Sequence, residues 1–167
     1  MSLGANMRIE EKLTELGLVL PEEPEPPPGF EFAFEWARVR GSRVYLAGHS
    51  AQHPDGSFAG PFGKVPVDVS VDEAIDAARA TALSMLGSLS RAIGDLDRVS
   101  AWLNVAGAVN AADGFPQSTV VINGFSDLVM QVFGARIGGH ARTALGYAAL
   151  PMNNAVVVSA EVEIDGA

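Results

Sequence analysis

One arginine among very small residues is the first feature of this chain that could do chemistry. The stretch His140 to Pro151 is predicted to be a β-strand that ends at the proline, because proline cannot donate to a sheet ladder. Successive strand residues face opposite ways, so Arg142 shares its face with three small residues, Ala144, Gly146 and Ala148. A permanent cation beside so little side-chain volume suits a carboxylate or phosphate ligand. An arginine paired with a structural glutamate across the sheet is the alternative that these residues leave open.

Two histidines are further candidates for the site. One lies close to Arg142 in the sequence, and the other lies at the end of another predicted strand. His140 precedes Arg142 by two residues and shares its face if the strand extends that far, and His49 follows Gly48 at the end of another predicted strand. A histidine can act as acid or base near neutral pH, and the alternative is that both rings are bonded to backbone or water. The third histidine, His53, lies in a loop. The spacing of the three fits no metal motif, so neither a metal nor a cofactor is expected.

The composition limits the classes of protein to which the chain can belong. The chain has 167 residues, 48% of them hydrophobic, a net charge of −9 and no cysteine. These values predict one domain with a substantial core and exclude disulfides and thiolate chemistry. The acidic balance opposes nucleic-acid binding. No apolar run approaches the roughly 20 residues that span a membrane, and no signal-peptide pattern is seen, so a cytoplasmic protein with no membrane partner is expected.

The first part of the chain, residues 1–29, is predicted to be accessory. It holds a short amphipathic helix from Arg8 to Leu16, followed by a proline- and glutamate-rich stretch that should be an extended, solvated tether. Residues 30–167 form the predicted domain. They begin with a half-buried strand from Phe30 to Val39, whose alternating aromatic side chains share one face, and a hairpin partner from Arg43 to Ala47.

The rest of the domain alternates helices and strands. Ser70 and Glu73 form a capping box that begins a long helix ending at Gly94. An apolar strand, a helix beginning near Pro116, the Arg142 strand and a final alternating strand follow. The fold class is therefore α+β, in the order ββαβαββ, with two helices on one face of a mixed sheet. The other, apolar face needs cover from another subunit, which predicts a symmetric oligomer.

Several short segments resemble the signatures of one known family. These segments are Tyr45-Leu46-Ala47-Gly48-His49, Val121-Ile122-Asn123-Gly124, Phe133-Gly134, Ala141-Arg142-Thr143 and Leu150-Pro151. Together they resemble the RidA/YjgF family, often called endoribonuclease L-PSP, and the N-terminal helix resembles that of a longer subgroup. The resemblance implies a chorismate-mutase-like fold and a homotrimer with small carboxylate metabolites bound in clefts between subunits. The family archetype hydrolyses reactive enamines and imines.

The resemblance also implies roles by position. Arg142 would hold the ligand carboxylate, and Gly48 would supply a backbone contact at the strand end. Phe34 falls where the archetype has a binding tyrosine, and Ala144 where it often has a cysteine. The two histidines, at positions where the archetype usually has Gln and Pro, complete the expected substrate-binding set and are the candidate catalytic residues.

The archetype has glutamates in a run on its last strand, and aligning Ala160 with the alanine of that run puts Val157 and Ser159 at the two glutamate positions. Glu161 and Glu163 lie further along the same face, and only a two-residue slip would restore a carboxylate there. Two functions therefore stay open: hydrolysis of an imine, enamine or related substrate by a histidine or by a group not yet assigned, and binding of a small molecule without chemistry. A ribonuclease, which the family name suggests, is opposed by the charge.

Overall fold

The computed structural model describes residues 8–166. Its centre is a five-stranded mixed sheet in the order β1-β2-β5-β3-β4. The strands are β1 (Ala37–Arg40), β2 (Arg43–His49), β3 (Val99–Asn110), β4 (Ala141–Tyr147) and β5 (Val156–Ile164). All neighbouring strands are antiparallel except β3 and β4, which run parallel. A parallel pair needs a long crossover, and a helix between the two strands supplies it.

Three helices accompany the sheet: α1 (Ile9–Glu15), α2 (Val71–Ile93) and α3 (Ser118–Gly138), with 3-10 turns at Leu96–Arg98 and Pro151–Asn153. The predicted capping box at the start of α2 is confirmed. The Glu73 amide donates to Ser70 Oγ at 3.1 Å, and the Ser70 amide donates to the Glu73 carboxylate at 2.8 Å. Gly94 ends this helix with a φ of 82°. These contacts satisfy amide groups that a helix N-terminus leaves without a partner.

The hydrophobic core lies between the two long helices and one face of the sheet. Along β5, the even-numbered residues from Val156 to Ile164 are buried, and the odd-numbered residues face the opposite, open side. Gly124 of α3 lets this helix approach α2 closely, since a Cβ there would lie 2.2 Å from the Ile75 carbonyl oxygen. The expected α+β architecture, with two helices on one face of a mixed sheet, is therefore confirmed.

α3 is, by length and composition, apolar enough to cross a membrane. Its apolar side chains are instead used within the chain: Val121, Ile122, Phe125 and Leu128 are fully buried in the core. Gly134 breaks the regular helical geometry of α3 four residues before its end, with φ 74° and ψ 167°.

The segment before β1 differs from its prediction. Only Ala37–Arg40 is a strand, and the aromatic residues from Phe30 to Trp36 do not enter the sheet. Their rings pack edge-to-face on one another, with centroids of Phe34 and Trp36 4.9 Å apart. Phe30 and Phe34 remain about half exposed, at 55% and 51%. Alternation predicted a strand with a buried aromatic face, but the rings find most of their partners within their own row.

The proline-rich segment is extended and seven of its nine residues are exposed, as expected, but it is docked on the domain and is not a free tether. Pro21 and Pro24 are buried. The Pro21 carbonyl accepts a bond of 2.9 Å from Arg91, and the Glu22 amide donates to the Pro54 carbonyl at 2.9 Å. A Cβ on Gly56 would lie 2.3 Å from the Glu23 carbonyl oxygen, so the absence of a side chain there permits this approach.

Candidate ligand-binding site

Arg142 lies on β4, the strand at one edge of the sheet, and its side chain reaches toward α3. Nη1 donates to Asn123 Oδ1 at 2.9 Å and to Ser126 Oγ at 3.0 Å, and Nη2 donates to the Thr119 carbonyl at 3.3 Å. The three acceptors are spaced i, i+4 and i+7, so they share one face of the helix. α3 therefore fixes the orientation of the guanidinium.

None of these acceptors carries a charge. Within residues 8–166, no carboxylate forms an ion pair with Arg142, so the alternative of a structural glutamate partner is not seen there. A guanidinium has five N–H donors, and three are used. The remaining two, one on Nε and one on Nη2, have no acceptor in this part of the chain, and two donors are enough to grip a carboxylate.

His140 joins this cation through a serine. Its Nε2 lies 2.9 Å from Ser126 Oγ, and its Nδ1 lies 2.6 Å from the Gly138 carbonyl. A carbonyl only accepts, so the bonding pattern assigns the proton to Nδ1 and makes Nε2 the acceptor of the serine proton. Ser126 then accepts from Arg142 and donates to His140. The structure thus brings together Arg142 and His140, as expected from their spacing, and adds Ser126, which sequence reasoning missed.

His49 is placed differently from its expected position at a cleft rim, and that expectation is wrong. Its side chain is 1% exposed. The cause is a bulge: Leu46 pairs with Ala160 and His49 with Val158, so β2 has one residue more than β5 over this interval. The extra residue turns His49 to the buried face, where simple alternation would put Gly48.

The buried His49 ring is fully bonded. Nδ1 lies 2.6 Å from the Ala47 carbonyl and Nε2 2.8 Å from Ser88 Oγ, which also accepts from Arg91. Burial lowers the pKa of His49 to about 4, with a smaller lowering from Arg91 and an opposing effect of the Ala47 carbonyl. His49 is therefore neutral at pH 7 and repeats the histidine–serine–arginine arrangement found around His140.

Gly48 and Phe34 lie apart from Arg142 within one chain. Phe34 precedes β1, at the sheet edge opposite to β4, and Gly48 belongs to β2. Ala144 follows Arg142 on the same face, where it packs half-buried against the core. The expected set of residues is therefore divided in two: Arg142, Ala144 and His140 on one edge, and Phe34 and Gly48 towards the other.

A small cavity of about 160 Å³ lies on the open face of the sheet, where Gly48 meets β3, β4 and β5. Val157 and Ser159, at the positions where the archetype has glutamates, both line it. No charged side chain lines this cavity within the described chain. Glu161, the next residue on that face, forms an ion pair with Arg43 at 3.0 Å. Glu161 therefore does not supply this cavity with a carboxylate in place of the archetype's glutamates.

Three carboxylates at α1 were also missed by the sequence reasoning. Oxygens of Glu10, Asp95 and Asp97 lie within 4.8 Å of one another. The Arg8 guanidinium pairs with Asp95 at 3.0 Å and with Asp97 at 3.3 Å, and the amide of Ile9 donates to Asp97 at 2.7 Å. These contacts fix α1 to the 3-10 turn before β3, which is a structural use of the acidic group.

A much larger groove, of about 990 Å³, lies between the proline-rich segment, the aromatic row and α2. Neither Arg142 nor His140 is among the residues that line it. Sequence reasoning missed it because it treated the acidic proline-rich stretch as solvated and the aromatic row as part of a strand. The one available signal was the presence of glutamates in both stretches.

Comparison with known proteins places the chain in a family. It is 35% identical over 166 residues to protein TCP17 of Trypanosoma cruzi, covering 99% of both chains. It is also similar to the crystal structure of Atu1372 from Agrobacterium tumefaciens, a protein of unknown function, with 34% identity, a TM-score of 0.82 and coverage of 95% and 92% of the two chains. A structure from Shewanella oneidensis, described as a candidate endoribonuclease, matches with 25% identity, a TM-score of 0.82 and coverage of 94% and 99%.

The fold extends to more distant relatives. RidA from an Antarctic Psychrobacter has 19% identity, a TM-score of 0.54 and coverage of 85% and 94%. No family model matches the sequence. The chain belongs to the RidA/YjgF/L-PSP family, as its signature segments indicated.

Proposed function

We propose that this protein binds a small carboxylate metabolite in a cleft between copies of itself, with Arg142 as the anchor. The observation that carries the proposal is the state of the guanidinium. It is fixed by three neutral oxygen atoms of α3, it has no carboxylate partner within residues 8–166, and two of its donors are free there. A fixed, uncompensated cation with two available donors suits a bidentate carboxylate ligand.

The expected ligand-binding residues lie towards opposite edges of the sheet, and this division supports a binding cleft between two copies of the chain. Arg142 lies at the β4 edge of the sheet and Phe34 near the β1 edge, so one chain cannot bring them together. A contact between the β4 edge of one copy and the β1 edge of the next would do so. Contacts of this head-to-tail kind generate closed rings, and the family resemblance favours a ring of three.

The open face of the sheet gives a second reason for association. Tyr45, Leu145 and Tyr147 are 46%, 50% and 48% exposed. They share this face with the small cavity at Gly48. Apolar surface of this kind is usually covered by a partner, and the same ring would bury it.

Binding without chemistry is the function that the site supports best. The cavity at Gly48 has uncharged Val157 and Ser159 where the archetype has glutamates, so no carboxylate there can position an attacking water. Ribonuclease activity has less support, because a chain with a net charge of −9 has little basic surface for a polyanion.

A second candidate, imine hydrolysis, has one specific observation in its favour. His140 Nε2 is a proton acceptor held one serine away from the Arg142 cation. In such a reaction, water adds to the carbon of the C=N bond, and the base takes a proton from the water and passes it to the nitrogen. The C–N bond then breaks as the hydroxyl proton moves to the leaving nitrogen, which gives a ketoacid and ammonia. His140 would be the base if the bound imine carried its carboxylate on Arg142.

Calorimetric titration with 2-oxobutyrate as the carboxylate probe tests the binding function. We expect saturable binding to the wild type, loss of binding in Arg142→Ala, and retention in the matched control Arg136→Ala, which removes an exposed arginine near the end of α3. Sedimentation should give the same trimer for all three proteins. Binding by Arg142→Ala at wild-type affinity would refute the assignment of the anchor.

Ketoacid release from an imine generated in situ separates the two functions. Release above the uncatalysed rate by the wild type, and its loss in His140→Ala with binding retained, would establish hydrolysis. Background release together with saturable 2-oxobutyrate binding would establish a binding protein.

A further inference from the structure

The groove of about 990 Å³ beside α2 is a second site, distinct in charge from that of Arg142. We call it the acidic groove. The aromatic row and Arg91 of α2 line it together with six carboxylates, which belong to Glu22, Glu23, Glu25, Glu31, Glu35 and Asp55. Its size is at the upper end of the range of small-molecule sites.

One wall is aromatic. Phe32 and Phe34 each pack edge-to-face on Trp36, with ring centroids 5.0 and 4.9 Å apart, and their own rings are tilted at a separation of 5.5 Å. Phe34 is 51% exposed, so part of its surface is open to a ligand. The face of an aromatic ring carries negative charge density and attracts an organic cation as well as an alkyl chain.

The rim is acidic. Six carboxylates line the groove, against one guanidinium. That guanidinium, of Arg91, already donates to the Pro21 carbonyl at 2.9 Å and to Ser88 Oγ at 3.2 Å. Of the six carboxylates, only Glu35 forms an ion pair within residues 8–166, an exposed one with Arg38 at 3.5 Å. The groove therefore presents an excess of negative charge that the described chain does not neutralise.

The acidic wall is built into the fold and is not a free tail. The amides of Glu22 and Glu25 donate to the Pro54 and Gly56 carbonyls at 2.9 and 3.5 Å. A Cβ on Gly87 would lie 2.8 Å from the Pro21 carbonyl oxygen, so two glycines, Gly56 and Gly87, allow this segment to lie against the domain. The backbone of the segment is thereby held at the groove, which its exposed carboxylates line.

We propose that the acidic groove binds an aliphatic polyamine, a small ligand with several ammonium groups joined by methylene chains. The ammonium groups would pair with carboxylates on the two sides of the groove, and the methylene chains would lie on the aromatic wall. A groove of about 990 Å³ is within the size range of small-molecule sites, which favours a small polycation over a basic peptide. This ligand is opposite in charge to the one held by Arg142.

Calorimetric titration of the full chain with spermidine tests the proposal. We expect one saturable site per chain, with affinity reduced at least about tenfold in the double variant Glu22→Gln/Glu31→Gln. The matched control Glu15→Gln/Asp113→Asn removes the same charge from exposed positions outside the groove and should change the affinity less than about twofold. Circular dichroism checks that the variants fold, and the glutamine side chains keep the shape of the groove.

Three results would overturn the proposal. They are the absence of saturable spermidine binding, an equal loss in the groove and control variants, and tighter binding of a lysine-rich pentapeptide than of spermidine. The first two would show that spermidine responds to the overall negative charge of the protein and not to a site in the groove. The third would assign the groove to a peptide. These readouts do not use 2-oxobutyrate, so their failure would leave the assignment of Arg142 standing, and Phe34 is the one residue that the two proposals share.

Discussion

The buried ring of His49 should make the stability of the protein depend on pH in a defined window. The ring is 1% exposed and bonded at both nitrogens, and its burial lowers the pKa to about 4. In the unfolded chain the pKa of a histidine is about 6.5. Protonating the folded ring would put a charge in the core and would remove the acceptor that Ser88 uses.

The sign follows from the proton balance. Between pH 6.5 and about 4, the unfolded chain binds a proton at His49 that the folded chain does not. The free energy of unfolding therefore falls on acidification through this window and is unaffected by His49 above it. Each pH unit of difference in pKa corresponds to about 1.4 kcal/mol, so the full loss is about 3 kcal/mol.

Urea unfolding at a fixed protein concentration, at pH 7, 6, 5 and 4, measures this loss. Wild type is compared with His49→Gln, which cannot titrate, and with His53→Gln, which changes an exposed histidine. The free energy of unfolding of the wild type, relative to that of His49→Gln, should fall by about 3 kcal/mol between pH 7 and 4. The difference between the wild type and the control His53→Gln should change much less. A difference between wild type and His49→Gln that stays constant with pH would refute the reasoning.

Two further substitutions test the packing and the site. Gly124→Ala places a Cβ 2.2 Å from the Ile75 carbonyl oxygen, so we expect the free energy of unfolding in urea to fall by about 3 kcal/mol. Unchanged stability would show that α2 and α3 can move apart at no cost. Ser126→Ala removes the hydroxyl between Arg142 and His140, and calorimetry should show several-fold weaker 2-oxobutyrate binding, with Ser126→Thr restoring it. Wild-type affinity in Ser126→Ala would mean that the serine does not position the guanidinium.

Local chemistry made much of the fold predictable. The capping box at Ser70 and Glu73 and the glycine at position 94 determine where α2 begins and ends with little help from the rest of the chain. The alternation of β5 and the shared face of Arg142 and Ala144 follow from the two-residue period of a strand. These features depend on near neighbours, which the sequence states directly.

Features that depend on distant partners were not predictable in the same way. The bulge that buries His49 is set by the register between β2 and β5, over a hundred residues apart. The docking of the proline-rich segment depends on Gly56 and Gly87, whose significance appears only when the segments meet. The aromatic row has the alternation of a strand, but its rings pack on one another and on Phe58 outside the sheet.

The candidate site was predictable in part for the same reason. Arg142 and His140 are two residues apart, so their association could be inferred from spacing. Ser126 and Asn123 come from α3, and only the packing of that helix over β4 brings them to the guanidinium. Under the proposed function, Arg142 meets Gly48 or Phe34 only where two copies of the chain come together.

The most direct test of the central proposal is subunit complementation. Arg142→Ala removes the anchor on one edge, and Gly48→Asp places a repelling carboxylate towards the other. Within residues 8–166, a Cβ at position 48 would lie 3.0 Å from Val157 Cγ1 and, its chain neighbours aside, within 4 Å of no other atom, so the fold can accept the change with a small shift of that side chain. Each variant alone should fail to bind 2-oxobutyrate. Trimers mixed from the two variants should regain binding at the junctions that pair an intact Arg142 with an intact Gly48, whereas mixed trimers with no binding would contradict a site shared between copies.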